Sequence, residues 1–166
     1  SGFIGSFIVE KGLTEGHVIW AGMRATSSRN YLQDSRIRFV ELDMEHPEIL
    51  RPQLAACKAE FGGWDVIVHA AGATKCIRRK DFFRTNTEGT RHFVDALREL
   101  DMAPGRFIFI SSLSVFGAIR EQAVRHATSD NPWIYAPIRE NDTPRPNTAY
   151  GESKLEAERY LKSLKD

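Results

Sequence analysis

Short runs of apolar, β-branched residues alternate along the chain with longer stretches in which apolar residues recur every three or four positions. This alternation predicts strands separated by amphipathic helices. The predicted strands cover residues 18–23, 37–42, 65–69 and 106–111. The predicted helices cover residues 4–11, 48–61, 81–100 and 149–164. Strands joined by helices of this length form right-handed βαβ units, so the expected fold class is α/β with a doubly wound parallel sheet.

The positions of glycine and proline refine the bounds of these predicted elements. The first helix is expected to end near Gly12, and Pro52 is expected to limit or kink the second helix. The run DVIVH at residues 65–69 is continuously apolar and lies between Gly62-Gly63 and Gly72. Such a run is typical of a strand that is buried on both faces.

Residues 118–146 interrupt the rhythm of strands and helices. The segment is polar, contains prolines and includes Trp133 and Tyr135. It is too long for an ordinary connection inside a compact domain. We therefore expect an inserted functional loop or flap.

Charge and composition exclude some partners. The chain carries 23 basic and 22 acidic residues, a formal net charge of +1, and 42% hydrophobic residues. This balance gives no electrostatic reason to expect nucleic acid or an anionic membrane as a partner. No apolar run approaches the roughly 20 residues that would span a bilayer, so a cytoplasmic protein is expected.

Cysteine and histidine spacing predicts neither disulfides nor a metal centre. Cys57 and Cys76 lie far apart without CxxC spacing, which favours reduced thiols. The five histidines are scattered. None has the spacing of a common zinc motif, so no metal site is expected.

The first residues, Ser1-Gly2-Phe3-Ile4-Gly5, resemble the end of a glycine-rich turn that opens a helix. Glycines there let backbone amides approach a pyrophosphate, and the helix N-terminus favours an anion. Gly2, Phe3, Ile4 and Gly5 are therefore candidate dinucleotide contacts. An ordinary helix start explains the same residues equally well.

A second candidate position follows the strand at residues 18–23. The residue that meets the cofactor's ribose lies about 20 positions past the glycines. Arg24 stands there, followed by Ser27, Ser28 and Arg29. Guanidinium and hydroxyl groups suit a 2′-phosphate, so NADP is favoured over NAD, although a solvent-facing arginine is the alternative.

Two further strand ends carry candidate cofactor residues. Asp43 and Met44 follow the strand at residues 37–42, where the Asp43 carboxylate could accept a hydrogen bond from adenine or could cap the next helix. Ala70, Ala71 and Gly72 follow His69. Their small side chains leave space for a ligand across the sheet, although a tight turn alone would also explain the glycine.

The strongest combination of residues lies near the end of the chain. Ser111 and Ser112 end the strand RFIFIS, and Tyr150 and Lys154 lie one helical turn apart on one helix face. An ammonium beside a phenol stabilises the phenolate, and a nearby serine hydroxyl can hold a substrate oxygen. Tyr-x-x-x-Lys alone is common on helix surfaces. Its weight comes from the order in which all these features follow one another.

This order resembles the extended short-chain dehydrogenase/reductases, which include NAD-dependent epimerases and dehydratases. The matching segments are SGFIG at 1–5, HAAG at 69–72, NTEGT at 86–90, FISSLSVFG at 109–117 and PNTAYGESK at 146–154.

The resemblance implies a role for individual residues. Ser112 would hold the substrate, Tyr150 would be the catalytic acid or base, and Lys154 would tune Tyr150 and bind the nicotinamide ribose. Asn86 would help to order the site. Thr74 and Ser114 are further candidates for substrate contact.

The chain departs from the family pattern at both ends and in the middle. By the resemblance, a first strand and first glycine precede Ser1, and a substrate domain follows Asp166. We therefore expect residues 1–166 to be a Rossmann-like NAD(P)-binding domain truncated at both ends, neither stable nor active alone. The stretch between Ser112 and Tyr150 also looks longer than is usual for the family.

The resemblance implies an NAD(P)-dependent enzyme that acts on a secondary alcohol or ketone, with a nucleotide sugar as the family's commonest substrate. An NADPH-dependent reductase of the same family is the alternative. A non-catalytic dinucleotide sensor or assembly factor is the rival of another class. The resemblance also implies a homodimer formed through the helices at 81–100 and 149–164. Phe93, Leu97, Leu155 and Tyr160 are candidate contacts, and core packing explains most of them equally well.

Overall fold

The computed structural model describes residues 2–118, 121–122, 134–135 and 137–164. About half of the predicted insertion at 118–146 lies outside the described residues, and its role stays a prediction. Within it, a two-residue strand, Glu121–Gln122, pairs antiparallel with Ile134–Tyr135.

The described elements follow the predicted order. The strands are β1 (Trp20–Met23), β2 (Arg38–Glu41), β3 (Val66–His69) and β4 (Arg106–Phe109). The helices are α1 (Phe3–Thr14), α2 (Pro47–Phe61), α3 (Arg79–Phe83), α4 (Gly89–Glu99) and α5 (Ala149–Ser163). A π-helical turn, Arg84–Glu88, joins α3 to α4, and a 3₁₀ helix, Leu113–Phe116, follows β4.

The strands form parallel pairs, as the alternating pattern predicted. In the first pair Trp20 lies opposite Arg38 in β2, and in the second Val66 lies opposite Arg106 in β4. The two pairs are separate two-stranded sheets within the described residues. The prediction that a further strand precedes Ser1 stays a prediction.

The main core lies between these strands and helices α2 and α4. Leu50 and Leu54 of α2 and Leu97 of α4 are almost completely buried there, and Ile67 and Phe107 pack against the same cluster from β3 and β4. A smaller cluster joins α1 to the other face of β1 and β2 through residues that include Leu13, Ala21 and Ile37. Helices therefore lie on both faces of the first pair.

The expectation that residues 65–69 are buried on both faces is wrong for the described structure. Only His69 of β3 is buried, and Val66 is 52% exposed. Residues alternate between the two faces of a strand. One face of the β3–β4 pair lies on the main core, whereas Val66 and Ile108 (39% exposed) belong to the uncovered face.

Two glycine and proline expectations also need correction. Helix α1 continues past Gly12 to Thr14, and a Cβ at Gly12 would lie 2.5 Å from Ile19 Cδ1. Gly12 therefore allows close packing and does not end the helix. Helix α2 begins at Pro47, so Pro52 does not limit its start, and the kink expected at Pro52 stays a prediction.

The candidate contacts for a homodimer are mostly core residues. Phe93, Leu97 and Leu155 are 3%, 1% and 6% exposed within the chain itself. Tyr160 is half-buried, and its hydroxyl donates a hydrogen bond to Asp95 at 2.5 Å. The core explanation is correct for the first three residues, and the homodimer stays a prediction.

Candidate active site

Asn86 is the centre of a hydrogen-bonded clamp at the carboxyl end of β3. Its side chain is 1% exposed. The Oδ1 atom accepts the amide of Ala73 at 2.7 Å, and Nδ2 donates to the Ala73 carbonyl at 3.0 Å. Nδ2 also donates to Ser153 Oγ at 2.9 Å. One side chain thus fixes the loop after β3 against helix α5.

Ser153 extends this clamp to Tyr150. Ser153 is fully buried, and its hydroxyl donates to the Tyr150 carbonyl at 2.8 Å. Thr87, the residue after Asn86, donates to the Ser153 carbonyl at 2.8 Å. The π-helical turn therefore holds the first turn of α5 from two sides.

Gly72 lies close to both Asn86 and Lys154. A Cβ at Gly72 would lie 3.0 Å from Asn86 Oδ1 and 3.8 Å from Lys154 Nζ. The position therefore has no room for a side chain unless the clamp moves. This crowding explains why position 72 is a glycine, independently of any requirement of the turn.

Lys154 is a charged side chain in an apolar place. It is 3% exposed, and its ammonium nitrogen lies over the Phe109 ring. Burial lowers the pKa of Lys154 to about 8, although the charge of Glu158 one turn later opposes that change. The group is thus a proton donor whose pKa lies close to neutral pH.

The 3₁₀ helix packs directly on the start of α5. A Cβ at Gly151 would lie 2.9 Å from the Ser114 carbonyl carbon, so Gly151 allows this contact. Ser112 begins the 3₁₀ helix, and its Oγ accepts the amide of Ser114 at 3.1 Å. Tyr150 precedes Gly151 and packs near Phe82, with ring centres 6.2 Å apart. The contact therefore brings the Ser112 segment beside the Tyr150 segment.

Ser111 and Ser112 have different partners. The Ser111 hydroxyl donates to the Glu158 carboxylate, which lies on the same helix as Lys154. This bond fixes the end of β4 to the middle of α5. Ser112 instead caps the 3₁₀ helix.

The loop after β2 is joined to the π-helical turn. The Asp43 carboxylate accepts the amide of Glu45 at 3.1 Å and contacts His46 Nδ1 at 2.9 Å, which raises the pKa of His46. Asp43 therefore caps the turn before α2. Met44 accepts a hydrogen bond from His92 Nδ1 at 3.0 Å, and Glu45 accepts one from Thr85 at 2.8 Å.

The remaining candidates lie at strand ends or at a helix start. Arg24, Ala71 and Thr74 are exposed, and Ala70 is half-buried. Gly2 precedes the first turn of α1, and a Cβ at Gly2 or Gly5 would meet nothing within 4 Å. Phe3 and Ile4 are 74% and 54% exposed. These candidates take no part in the hydrogen bonds of the Asn86 clamp among the described residues.

Sequence reasoning missed several residues that organise the site. Ser153 and Thr90 lie inside the segments PNTAYGESK and NTEGT, but no role was assigned to them. Phe109 and Glu158 were also missed. The position of Ser153, Thr90 and Phe109 inside quoted motifs is the one signal that the sequence offered, whereas Glu158 lies in none of these motifs.

Comparison with known families decides which group of proteins contains this site. The model of the "NAD dependent epimerase/dehydratase family" matches residues 1–166. The chain belongs to that family. This is a family of enzymes. The match confirms the resemblance that the sequence motifs indicated.

Individual relatives resemble only part of a longer protein. The chain is 31% identical over 104 residues to a D-erythronate dehydrogenase of Cupriavidus necator, covering 61% of this chain and 30% of that protein. Among solved structures, WbmG of Bordetella bronchiseptica in complex with NAD and UDP is 24% identical with a TM-score of 0.71. The match covers 99% of this chain and 47% of WbmG.

A UDP-glucose 4-epimerase of Thermus thermophilus in complex with NAD gives a similar result. It is 24% identical, the TM-score is 0.71, and the match covers 98% of this chain and 47% of that chain. The chain thus spans about half the length of these structures. Similarity at this level establishes the Rossmann-like α/β fold.

The described residues contain neither a cluster of metal-ligating side chains nor a membrane-spanning helix. No group of three or more histidine, cysteine, aspartate or glutamate side chains could hold a metal ion there. In the same part of the chain, every helix is too short or too polar to cross a membrane.

Proposed function

We propose that this chain forms the dinucleotide-binding part of an NAD(P)-dependent enzyme of the epimerase/dehydratase type, acting on a secondary alcohol or the corresponding ketone. One observation carries the proposal. A buried ammonium, that of Lys154, lies one helical turn from Tyr150 and beside the crowded Gly72–Asn86 contact. Burial of a lysine ammonium costs folding free energy and here lowers the pKa to about 8. A strongly perturbed pKa of this kind is typical of functional sites.

The residues present fit a nicotinamide dinucleotide. Gly72 offers backbone without a side chain, and Lys154 Nζ, near that position, can donate hydrogen bonds to ribose hydroxyls. Gly2 and Gly5 leave open space at the start of α1, where backbone amides favour a pyrophosphate. A bound nicotinamide supplies or accepts the hydride.

The protein's own side chains would transfer the proton. The Tyr150 phenolate takes the hydroxyl proton when the alcohol is oxidised, and the Tyr150 phenol gives a proton back when the ketone is reduced. The positive charge of Lys154 stabilises the phenolate. The clamp from Asn86 through Ser153 to the Tyr150 carbonyl keeps the backbone of this turn in place.

Ser112 is the better candidate for holding the substrate oxygen. Its hydroxyl accepts the Ser114 amide, and a hydroxyl that accepts one bond still has a proton to donate. The hydroxyl proton of Ser111, in contrast, is directed to Glu158. Ser114 and Thr74 remain proposed substrate neighbours.

We propose a polyhydroxylated sugar derivative as the substrate, with a nucleotide sugar as the first choice. The named relatives include a UDP-glucose 4-epimerase and a D-erythronate dehydrogenase. Both names describe compounds with more than one secondary hydroxyl group. Simple ketone reduction by NADPH is the alternative, and the exposed Arg24 after β1 favours it, because a guanidinium suits a 2′-phosphate.

The test compares two tyrosine variants of the protein together with any segments that flank this chain. UDP-glucose, D-erythronate and simple ketones are offered with NAD(H) or NADP(H), and dinucleotide absorbance and sugar products are followed. Tyr150→Phe is expected to lower turnover by roughly 10²- to 10⁴-fold with dinucleotide affinity retained. Tyr160→Phe, which removes a hydroxyl farther along the same helix, is the matched control. Full turnover in Tyr150→Phe, or dinucleotide binding without any turnover, would contradict the enzymatic proposal.

A further inference from the structure

His69 ends β3 as a buried, polar ring among aromatic side chains. It is 4% exposed. Its ring centre lies 5.7 Å from those of Phe93 and Phe109 and 5.9 Å from that of Phe107. An apolar side chain would fill this space without a desolvation cost. The polar atoms of the imidazole therefore need an explanation.

Hydrogen bonds determine which ring nitrogen carries the proton. His69 Nε2 lies 2.9 Å from Thr90 Oγ1, and the Thr90 hydroxyl donates to the Asn86 carbonyl at 2.7 Å. A threonine hydroxyl has one proton, which is directed to Asn86. His69 must then donate from Nε2. Burial, together with the charge of Lys154 on α5, lowers the pKa of His69 to about 4, so the ring is neutral at neutral pH.

The same bonds continue into the candidate active site. Asn86 accepts from Thr90 through its carbonyl and donates through its side chain to Ser153, whose hydroxyl donates to the Tyr150 carbonyl. The bonds thus form a continuous series from His69 at the end of β3 to Tyr150 on α5. Thr90, Asn86 and Ser153 are each 0–1% exposed, so water does not compete for these bonds.

The Asn86 carbonyl lies within a π-helical turn, where the regular backbone ladder is interrupted. The Thr90 hydroxyl supplies a partner for that carbonyl. It thereby sets the position of the Asn86 backbone, on which the clamp to Ala73 and Ser153 depends. His69 in turn fixes the orientation of the Thr90 hydroxyl.

We propose that His69 is a positioning residue, which, as the neutral Nε2–H tautomer, acts through Thr90 to hold Asn86 in the geometry that supports Tyr150 and Lys154. The proposal rests on the proposed function only for its effect on turnover. The tautomer and the position of Asn86 are properties of the fold. They can be tested in a protein that turns over nothing.

The first experiment is nitrogen-15 NMR of histidine-labelled protein at neutral pH. We expect a neutral His69 ring protonated at Nε2. A ring protonated at Nδ1, or an imidazolium, would overturn the proposal. This outcome does not depend on the identity of the substrate.

The second experiment uses threonine variants and reads the side-chain amide signals of Asn86. Thr90→Val removes the hydroxyl at nearly constant shape and is expected to shift these signals, whereas Thr90→Ser keeps them near the wild-type position. Thr14→Val is the matched control, because Thr14 makes the same bond to a carbonyl four residues earlier on an exposed helix. Unchanged Asn86 signals in Thr90→Val would overturn the positioning role.

The third experiment measures turnover. His69→Leu and Thr90→Val are expected to lower kcat on the order of 10- to 100-fold with a smaller change in KM, because a small misplacement of reacting groups is costly. His69→Gln places an amide donor near Nε2 and is expected to recover most of the loss. Equal kcat in His69→Leu and wild type, or equal losses in His69→Leu and His69→Gln, would contradict the proposal. If wild type has no turnover, the proposed function fails and the two NMR experiments decide about His69.

Discussion

The ammonium nitrogen of Lys154 lies 3.9 Å from the centre of the Phe109 ring. A cation over an aromatic face is stabilised without a full countercharge. The site therefore holds a positive charge in a buried environment of low dielectric constant. There the charge acts more strongly on the phenol of Tyr150 than it would in water. The same burial destabilises the folded chain, which leads to the first prediction.

Lys154→Met is expected to raise the free energy of unfolding at pH 7 by roughly 1–3 kcal/mol, because it removes a buried charge at similar volume. The pKa of Lys154 is about 8 in the folded chain and 10.5 in the reference state. The unfolded chain binds more protons between these values, so wild-type stability rises with pH there. The advantage of the variant should shrink over that range.

Denaturant unfolding from pH 7 to 10.5 measures this difference. Lys162→Met is the control, since the Lys162 side chain is 68% exposed and lies on the same helix. A Lys154→Met variant that is less stable than wild type at pH 7 would show that the charge is not a cost. Dinucleotide affinity should fall in the same variant that gains stability.

Gly151→Ala is expected to separate the 3₁₀ helix from α5. The new Cβ would lie 2.9 Å from the Ser114 carbonyl carbon and 3.1 Å from Pro146 Cβ. Alanine is the better helix former by about 1 kcal/mol, so a loss of stability isolates the steric contact. We expect a loss of several kcal/mol and lower turnover, measured by thermal unfolding and initial rates.

The matched control for this change is Gly5→Ala. Gly5 also lies inside a helix, but a Cβ there would meet nothing within 4 Å. The free energy of unfolding of the Gly5→Ala variant is expected to rise by about 0.5–1 kcal/mol. Equal changes in the free energy of unfolding for Gly151→Ala and Gly5→Ala would mean that the Gly151 contact is not tight in solution.

His69 is expected to make the fold sensitive to acid. Its pKa is lowered from 6.5 to about 4 by burial, so the unfolded chain binds the proton more readily. The free energy of unfolding should therefore fall as pH drops from 6.5 towards 4, by up to about 3 kcal/mol. His69→Gln should remove this slope in unfolding curves measured across that range.

His46 provides a contrast of opposite sign. Its pKa is raised by Asp43, so it stabilises the folded chain below pH 6.5 and loses that effect as pH rises through its folded pKa. His46→Gln is therefore expected to change the slope in the other direction. An unchanged slope in His69→Gln would contradict the assignment of a neutral, buried His69.

Arg24→Ala is expected to lower NADP(H) affinity by about 10- to 100-fold and leave NAD(H) affinity nearly unchanged. A charged hydrogen bond to a phosphate contributes about 1.5–3 kcal/mol. Fluorescence titration of both dinucleotides measures the ratio. Arg36→Ala is the control, because Arg36 is exposed and paired with Asp34. A wild-type preference for NAD(H) would reject this role of Arg24.

Much of the fold was predictable because local patterns and global topology agree. Periodicity placed the described helices and the parallel strands within a few residues. It failed at Val66, since the coverage of a strand face depends on which helices pack there. It also failed at Gly12, whose role is a contact with Ile19.

The candidate site was predictable only where spacing along the chain carries the chemistry. Tyr150 and Lys154 follow from a one-turn separation, and Asn86 itself lies inside the NTEGT motif. Burial of Lys154 and the bonds from His69 to Ser153 join residues that are far apart in sequence. No pattern of polar and apolar positions contains that information.

The π-helical turn at Arg84–Glu88 also sets the angular relation between the two halves of a helical stretch. An extra residue within a turn rotates everything after it by about 100°. Asn86 can therefore point to the candidate site while Phe93 and Leu97 point into the core. Deleting one residue here would swing those two side chains out of the core, so the spacing between Asn86 and Phe93 is constrained as strongly as their identity.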